Sequence, residues 1–288
     1  MTQRLAFTHR RVRRLRGLLQ KRSARWSERA FVAEGAELIR TALEAGAPLE
    51  SVYVSPDGDH DGATQDVCRR ALAAGARVFP LGAGVLERVA DTVTPQPVLA
   101  VLPMLEEPPA GADVWSARPG SLIVVLVDVR DPGNAGTVLR AADASGTTAV
   151  LFAGESVDPY NPKTVRASAG SLFHVPLAVR DDPLALASEL SATGFRTLAT
   201  VVRDGEDYAS LDWSVPTALF LGNESSGLDP ALCGELAGSL AIPMAGRAES
   251  LNVGVASAVV CFEAFRQRRE DVPGARSISS GGKARHGD

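Results

Sequence analysis

LIVVLVDVRDPGNAGTVLRAADASGTTAVLF, residues 122–152, is the stretch of this 288-residue chain that decides its fold. An uninterrupted apolar run, Leu122–Val127, leads through a turn into a helical stretch near 136–145 and a second apolar run, Ala149–Phe152. The alternation continues with strands predicted at Thr197–Val202, Ala218–Leu221 and Leu240–Ile242, and helices near 183–191, 230–237 and 253–268. Strands that are apolar throughout are buried on both faces, and strands separated by helices pair in parallel. We therefore predict an α/β domain built on a parallel sheet.

The first third of the chain is predicted to form a smaller α/β unit. Short strands are expected at Phe31–Ala33, Val52–Val54, Arg77–Phe79 and Val98–Leu102, with helices within 1–20 and at Glu34–Ala45 and Gln65–Ala74. Residues 103–120, PMLEEPPAGADVWSARPG, contain four prolines and no periodicity, which is typical of a linker. The predicted organisation is a domain at 1–105, a linker at 106–119, a second domain at 120–270 and a polar, disordered tail at 271–288.

Composition predicts a soluble, cytoplasmic, globular protein. Hydrophobic residues make up 45% and charged residues 22% of the chain, which provides enough apolar surface for a sizeable core. The longest apolar run, Leu122–Val127, falls far short of the about 20 residues that span a membrane, and the basic N-terminus lacks the apolar stretch of a signal peptide. The three cysteines and four histidines are scattered, so we expect neither a disulfide framework nor a metal site.

Charge is unevenly distributed along the chain, although the net charge is only -4. Residues 1–40 contain eleven Lys or Arg residues and three acidic ones. Such asymmetry favours contact with a polyanion at one end of the protein. A solvated basic helix face is the alternative interpretation, so charge alone leaves nucleic-acid binding open.

Three polar segments follow predicted strands, at the edge where open α/β sheets bind ligands. The first is DPGNAG at 131–136, in which Asn134 can cap the following helix, and Arg140 lies six residues further on. A guanidinium in this position would suit a phosphate or a phosphodiester. The alternative is a capped turn with a surface arginine. The G-x-x-G spacing is not the G-x-G-x-x-G of a dinucleotide site.

The other two segments lie further along the chain. In LGNESSGL, residues 221–228, Gly222 lets a ligand approach the backbone closely, and Glu224 either contacts that ligand or helps to cap the next helix. In IPMAGRAESLN, residues 242–252, Ser250 and Asn252 stand just before a long helix and either can cap it. The Pro, Gly and Ser-Leu-Asn of this segment predict a loop that bends around a small molecule.

Together these segments resemble the SpoU/TrmH branch of the SPOUT methyltransferases. The motifs of that family occur in order as DPGNAGTVLRAADASG at 131–146, LFLGNESSGL at 219–228 and IPMAGRAESLNVGVASA at 242–258. The opening RVRRLRGLLQ, residues 11–20, is similar to the start of the family's substrate-binding domain. The resemblance implies a parallel-sheet domain with a trefoil knot, S-adenosylmethionine as the cofactor, and a homodimer whose interface includes the Val253–Phe265 helix.

Site residues are carried over from the family motif by motif. The catalytic polar set would comprise Asn134, Arg140, Glu224, Ser250 and Asn252. The cofactor pocket would be lined by Gly222, Ile242, Met244 and Leu251, with Thr200 as a further candidate. The predicted RNA contacts are Arg11, Arg14, Arg22 and Arg25, and Arg166 is either another RNA contact or part of a structural turn. Because a guanidinium is effectively never deprotonated, we expect Arg140 to bind phosphate and to stabilise a developing alkoxide, rather than to act as a general base.

The resemblance implies methylation of a ribose 2'-hydroxyl in structured RNA. Ribosomal RNA is the preferred substrate because the two-domain layout resembles that of ribosomal members. Transfer RNA, and self-protection against a ribosome-binding antibiotic, are alternatives. A catalytically inactive RNA-binding protein would have lost members of the polar set. A nucleotide-dependent oxidoreductase would carry the dinucleotide fingerprint that this chain lacks.

Overall fold

The protein is described by a computed structural model that covers residues 4–90, 94–109 and 111–270. Two β-sheets are formed, the first by strands between Ala30 and Pro103 and the second by strands between Leu122 and Ala241. The predicted α/β architecture with a parallel sheet in the second half is confirmed. The tail predicted at 271–288 lies outside the described residues.

The first sheet has four strands in the order β1-β4-β2-β3, and helices cover both of its faces. Strands β1 and β2 run antiparallel to β4, while β3 pairs in parallel with β2 and lies at an edge. The strands are β1 Ala30–Glu34, β2 Ser51–Val54, β3 Arg77–Pro80 and β4 Val98–Pro103. The helices are α1 Arg10–Gln20, α2 Arg22–Glu28, α3 Ala36–Glu44, α4 Gly62–Ala73 and α5 Val85–Val89. Helices α1 and α5 pack on one face, and α3 and α4 on the other.

The second sheet has seven strands in the order β7-β6-β5-β10-β8-β11-β9, and every pairing is parallel. The strands are β5 Leu122–Val127, β6 Ala149–Ala153, β7 Leu177–Arg180, β8 Arg196–Val201, β9 Glu206–Asp207, β10 Thr217–Leu221 and β11 Gly238–Ala241. The helices are α6 Pro132–Ser145, α7 Pro162–Ala167, α8 Pro183–Ala192, α9 Pro230–Glu235 and α10 Val253–Glu270. From β5 the chain adds β6 and β7 on one side of the sheet. It then crosses to the other side of β5, where β8 to β11 lie, so the strand order reverses between β5 and β10. Open α/β sheets bind ligands at such a reversal.

Alternate side chains of the central strands build the two layers of the second half. In β5, Leu122, Val124 and Leu126 face a core that includes α6 and α10, whereas Ile123, Val125 and Val127 face α8 and α9. The first core is continuous with the core of the N-terminal sheet, where the Phe31 and Tyr160 rings lie 4.9 Å apart between centroids. The two halves of the chain therefore pack together through apolar contacts.

The periodicity of the sequence located most elements to within a few residues, and the differences have local causes. The first helix begins at Arg10 because the His9 ring accepts a hydrogen bond from the backbone of Arg11 at 3.2 Å. Strand β7 was not predicted, since Leu177–Arg180 is only four residues long and its last two residues are half-buried. Helix α7, Pro162–Ala167, was missed because six residues are too few to show a helical period.

A buried ion pair joins the N-terminal helices to the second half of the chain. Arg25 Nε donates to Asp158 Oδ2 at 2.7 Å, both side chains are only 3% exposed, and Arg25 Nη1 donates to Leu18 O at 2.8 Å. This corrects the prediction of Arg25 as an RNA contact, because its guanidinium faces protein groups rather than the surface. The sequence gives no sign of this pairing, since Arg25 and Asp158 are separated by 133 positions.

Substitution Arg25→Met is expected to lower the free energy of unfolding by about 3–5 kcal/mol, because it leaves the Asp158 carboxylate buried without its partner. Urea denaturation followed by circular dichroism measures the change. The control is Arg69→Met, since Arg69 is 75% exposed and pairs with Asp66 at the surface, where an ion pair contributes about 0–1 kcal/mol. Equal losses in the two variants would contradict the structural role assigned to Arg25.

Candidate active site

Polar side chains from three separate turns meet at the carboxyl edge of β5 and β10. Asn134 Nδ2, on the first turn of α6, donates to Glu224 Oε1 at 2.9 Å. Asn252 Nδ2, just before α10, donates to Asn134 Oδ1 at 2.8 Å. Residues 90 and 118 positions apart in the sequence thus form one hydrogen-bonded chain. The structure brings together three members of the predicted catalytic set: Asn134, Glu224 and Asn252.

The N-terminus of α6 is capped by Asp131 rather than by Asn134, which corrects the capping role predicted for Asn134. Asp131 Oδ1 accepts from the backbone N–H of Asn134 at 2.9 Å, and Pro132 occupies the first turn. Proline suits this position because its missing N–H would have no helical partner there. With the cap supplied by Asp131, the Asn134 side-chain amide is available to connect Glu224 and Asn252.

Glu224 accepts hydrogen bonds from both sides of the cluster. Besides Asn134 Nδ2, the backbone N–H groups of Asp131 and Arg130 point at its carboxylate, at 3.2 and 3.4 Å. Burial acts to raise the pKa of Glu224, but the hydrogen bonds from Asn134 and from backbone N–H groups outweigh it, and the pKa lies below its ordinary value. Glu224 is therefore a carboxylate at neutral pH, and it accepts hydrogen bonds rather than donating a proton.

Asn223 shapes the turn that presents Glu224, and it was not among the predicted site residues. Its Oδ1 accepts from the backbone N–H groups of Ser225 and Ser226 at 3.0 and 3.2 Å, while its Nδ2 donates to Asp128 O at 2.8 Å. The first two bonds form the type of turn that Asn side chains favour. An Asn in a Gly- and Ser-rich turn directly after a strand was the available signal.

A cavity of about 520 Å³ opens beside this cluster, a size typical of small-ligand sites. The four residues predicted to hold a cofactor all line it: Gly222, Ile242, Met244 and Leu251. Thr200 lines it as well, and its buried Oγ1 has no hydrogen-bond partner among the residues that the structure describes. An unpaired buried hydroxyl at a cavity wall is available to a ligand, since leaving it unpaired is unfavourable.

Ser250 and Asn252 contribute to the same wall from the loop before α10. Asn252 Oδ1 accepts from the backbone N–H groups of Gly254 and Val255 at 2.9 and 3.3 Å, so Asn252 both caps α10 and joins the polar cluster. Ser250 is exposed and forms no hydrogen bond within the described part of the chain. Its hydroxyl is therefore free to contact a bound molecule.

Arg140 is not hydrogen-bonded to the other members of the predicted set. It lies on α6, is exposed and does not line the cavity. Among the residues described, no hydrogen bond or ion pair engages its guanidinium. The structure thus leaves this cation on the helix that carries Asn134, with its donors available to an external anion.

The predicted RNA-contacting arginines differ in how accessible they are. Arg11 lies over the Phe79 ring and the exposed Arg22 over the Trp26 ring, at 4.5 and 5.8 Å from the centroids. Arg14 is half-buried between Glu28 and Glu50, and the hydrogen bonds that it donates to Glu50 are the main cause that raises its pKa above the ordinary value. Arg166 binds Glu34 Oε2 at 3.0 Å, which supports the structural interpretation of that residue.

Substitution Gly222→Ala is expected to lower the affinity of the cavity for its ligand by about tenfold or more, since small changes in a packed site are strongly felt. A Cβ at this position would lie 2.3 Å from the carbonyl carbon of Gly227 and 2.4 Å from Leu228 N. Both are backbone atoms, so the loop that carries Glu224 must shift. Isothermal titration calorimetry measures the affinity. Gly234→Ala is the control, because a Cβ there meets no described atom within 4 Å beyond its chain neighbours and the backbone of its own helix. Unchanged affinity in Gly222→Ala would contradict the tight packing assigned to this turn.

Two protein families match adjacent parts of the chain. Residues 121–262 match the SpoU rRNA Methylase family, and residues 9–100 match the MRM3-like substrate binding domain.

Within the described residues, no group of three or more His, Cys, Asp or Glu side chains is placed to hold a metal ion. No helix in 4–90, 94–109 or 111–270 has both the length and the apolar character of a membrane span.

Individual relatives are similar over nearly the whole chain. The 23S rRNA (guanosine(2553)-2'-O)-methyltransferase RlmP of Bacillus subtilis is 35% identical over 85% of this chain and 92% of its own length. A 23S rRNA (uridine(2479)-2'-O)-methyltransferase of Streptomyces viridochromogenes is 30% identical over 90% of each chain. The crystal structure of an AdoMet-bound rRNA methyltransferase from Sinorhizobium meliloti superposes with a TM-score of 0.78 at 31% identity, covering 92% of this chain and 97% of the other. This chain belongs to the SpoU rRNA methylase family.

Proposed function

We propose that this protein transfers the methyl group of S-adenosylmethionine to a ribose 2'-hydroxyl of ribosomal RNA. The observation that carries the proposal is the hydrogen-bonded chain from Glu224 through Asn134 to Asn252 at the edge of a ligand-sized cavity. The 23S rRNA 2'-O-methyltransferases among its relatives support both the reaction and the substrate. Ribosomal RNA as substrate would place the protein in the cytoplasm.

The residues that line the cavity fit S-adenosylmethionine. Gly222 lets the ligand approach the backbone, since no side chain intervenes. Ile242, Met244 and Leu251 offer apolar contacts suited to a flat base, and the unpaired Thr200 Oγ1 offers a polar one. When bound, the cofactor supplies an electrophilic methyl group. No metal or redox group is required for such a transfer.

The protein residues would act mainly by positioning and by electrostatics. Glu224 fixes Asn134, and Asn134 in turn fixes Asn252, so the cluster is held rigid before the RNA arrives. Ser250 would contact the ribose, because its hydroxyl lies at the cavity wall and is unpaired within the described residues. Methyl transfer requires the acceptor oxygen in line with the methyl–sulfur bond, and correct placement of reacting atoms can supply much of a rate enhancement.

Arg140 would hold the phosphate next to the target ribose and stabilise the negative charge that develops on the 2'-oxygen. A guanidinium is effectively never deprotonated in proteins, so Arg140 would not accept the hydroxyl proton, which would pass to solvent as the bond from the 2'-oxygen to the methyl group forms and the methyl–sulfur bond breaks. Preorganised donors that face developing charge are usually a major source of catalysis. The exposed, unpaired state of Arg140 in the described structure is consistent with this role.

The two family matches support a division of the chain into an RNA-binding domain and a catalytic domain. We propose that residues 1–105 form the RNA substrate-binding domain, that 106–119 form the linker, and that 120–270 form the methyltransferase domain. We also propose that the loop at 242–252 belongs to a trefoil knot. This loop supports the proposal because it connects β11 to α10 while lining the same cavity as the turn after β10.

A homodimer is proposed with α10 at its interface. Val255 and Phe262, seven positions apart and thus on one face of the helix, are each 46% exposed. Large apolar side chains grouped on an exposed face are typical of association sites.

Substitution Phe262→Glu is expected to shift the protein from dimer to monomer, because it places a charge in the centre of this apolar face. Size-exclusion chromatography with light scattering measures the mass. The control is Leu72→Glu, since Leu72 is 58% exposed on α4, in the other half of the chain. A wild-type protein that is monomeric at all concentrations would contradict the proposed dimer.

The proposed reaction can be tested with tritium-labelled S-adenosylmethionine and ribosomal RNA. Label is expected in RNA, on a ribose that resists alkaline hydrolysis at its 3' phosphodiester. Calorimetric titration is expected to show binding of S-adenosylmethionine and none of NAD. Transfer RNA is assayed in parallel as the alternative substrate, and it is expected to take up less label than ribosomal RNA. Cofactor binding without any transfer to RNA would favour a catalytically inactive RNA-binding protein instead.

A further inference from the structure

One face of the N-terminal sheet carries arginines that lie against phenylalanine rings. Helix α1, with the sequence RRVRRLRGLLQ, contains five arginines and no acidic residue. Within the described residues, only Arg14 of these five forms an ion pair. Arg11 lies 4.5 Å from the centroid of the Phe79 ring, and Arg16 lies 5.3 Å from that of Phe7. The positive charge of this helix is therefore largely uncompensated.

Each ring has a second guanidinium beside it. Arg88 on α5 lies 3.8 Å from the Phe7 centroid, and Arg77 on β3 lies 5.9 Å from the Phe79 centroid. Both rings are partly buried against the same hydrophobic cluster, the one that α1 covers. We define the arginine–phenylalanine patch by these six side chains: Phe7, Arg11, Arg16, Arg77, Phe79 and Arg88.

The backbone and the core hold both rings in place. Leu5 N donates to Pro80 O at 2.8 Å and Gly82 N donates to Leu5 O at 2.9 Å, so the segment that carries Phe7 runs beside the end of β3. The Phe79 ring packs against the buried Tyr53 ring, at 5.6 Å between centroids. The guanidinium groups thus rest on a fixed platform rather than on mobile side chains.

We propose that the arginine–phenylalanine patch binds unpaired nucleotides of the RNA substrate. This inference rests on the proposed function and extends it from RNA in general to a single-stranded loop or bulge. A guanidinium that lies on an aromatic ring keeps a defined plane and still presents its N–H donors to a phosphate. Unpaired RNA bases are recognised by stacking on aromatic rings and on guanidinium planes.

The alternatives explain fewer of these features. Double-stranded RNA is recognised mainly by shape and by contacts to phosphates and 2'-hydroxyls. Such recognition does not require guanidinium groups that are held flat against aromatic rings. An acidic protein segment would require only the positive charge of the patch and would leave its aromatic rings unexplained. The combination of four arginines with two anchored rings favours a ligand that offers both phosphates and flat bases. The exposed Arg77 and Arg88 make this face accessible.

Fluorescence anisotropy with the full chain tests the proposal, using an RNA hairpin with a single-stranded loop and a blunt duplex of the same stem. The double substitution Arg16→Ala/Arg88→Ala is expected to weaken hairpin binding by about tenfold. Duplex binding should change much less. The slope of log Kd against log salt should fall by about 1.4 for the hairpin, which is about 0.7 for each of two lost phosphate contacts. Arg88→Lys keeps the charge but not the plane, so it should lose affinity while the slope is retained.

The matched control is Arg69→Ala, since Arg69 is 75% exposed on α4, on the opposite face of the sheet, and pairs with Asp66. Two results would overturn the proposal: hairpin affinity and slope unchanged in the double variant, or polyglutamate competing as well as the hairpin. Methyl transfer keeps the two proposals apart. If the patch variants bind and methylate RNA like the wild type, the proposed RNA binding by the patch is wrong and the proposed methyltransferase function stands. If the wild type methylates no RNA but the patch variants lose hairpin binding, the function is wrong and the patch stands.

Discussion

Substitution Arg140→Ala is expected to lower kcat for methyl transfer by roughly 10²–10³-fold, the loss seen when one preorganised donor to a developing oxyanion is removed. The affinity for S-adenosylmethionine should be unchanged, because Arg140 lies outside the cavity lining. The fold should also be preserved, since the exposed guanidinium holds no other group among the described residues. Single-turnover transfer with labelled cofactor measures the rate, and calorimetry measures the cofactor affinity.

Two further variants show which property of Arg140 matters. Arg140→Lys retains the charge but loses the planar fork that binds phosphate through two donors, so we expect a loss smaller than that of Arg140→Ala. Arg130→Ala is the matched control, because Arg130 is also exposed and contributes a backbone N–H, not its side chain, to Glu224. Transfer at the wild-type rate by Arg140→Ala would rule out the role assigned to this residue.

The convergence of the three motifs could be predicted from the sequence because it follows from topology. Parallel strands end at one edge of their sheet, so the turns after β5, β10 and β11 share that edge. In the structure β10 neighbours β5, and only β8 separates β10 from β11. Sheet topology brings Asn134, Glu224 and Asn252 to one edge but fixes none of their contacts. The hydrogen-bonded order of these three residues depends on side-chain positions, which periodicity does not report.

Residues with more than one possible partner could not be assigned from the sequence. Asn134 and Asp131 both suit a helix cap, and only the structure shows that Asp131 takes that role. Arg25 and Arg11 are equivalent in a count of basic residues, yet one is buried against Asp158 and the other lies over Phe79. Partners that lie far away in the sequence decided each of these cases.

Removal of the Glu224 carboxylate is expected to have the second large effect. Glu224→Ala leaves Asn134 Nδ2 and the backbone N–H groups of Asp131 and Arg130 without their acceptor. We expect kcat/KM to fall by about 10²-fold, since misplacement of catalytic groups by about 1 Å has an effect of that size. Glu224→Gln retains one acceptor oxygen, so its kcat/KM should lie between that of the wild type and that of Glu224→Ala. The exposed Glu235, on α9, provides the control Glu235→Ala.

The same carboxylate makes a contribution to stability that depends on pH. The folded protein holds the pKa of Glu224 below its ordinary value of 4.5, so the folded state binds a proton less readily than the unfolded state. The stabilisation is therefore fully present above pH 4.5 and is lost as the pH falls through the lowered pKa of the folded state. Urea denaturation should show wild type more stable than Glu224→Gln at pH 7, with the difference shrinking only below pH 4.5. A difference that grows as the pH falls would show that the hydrogen bonds to Glu224 do not favour its charged form.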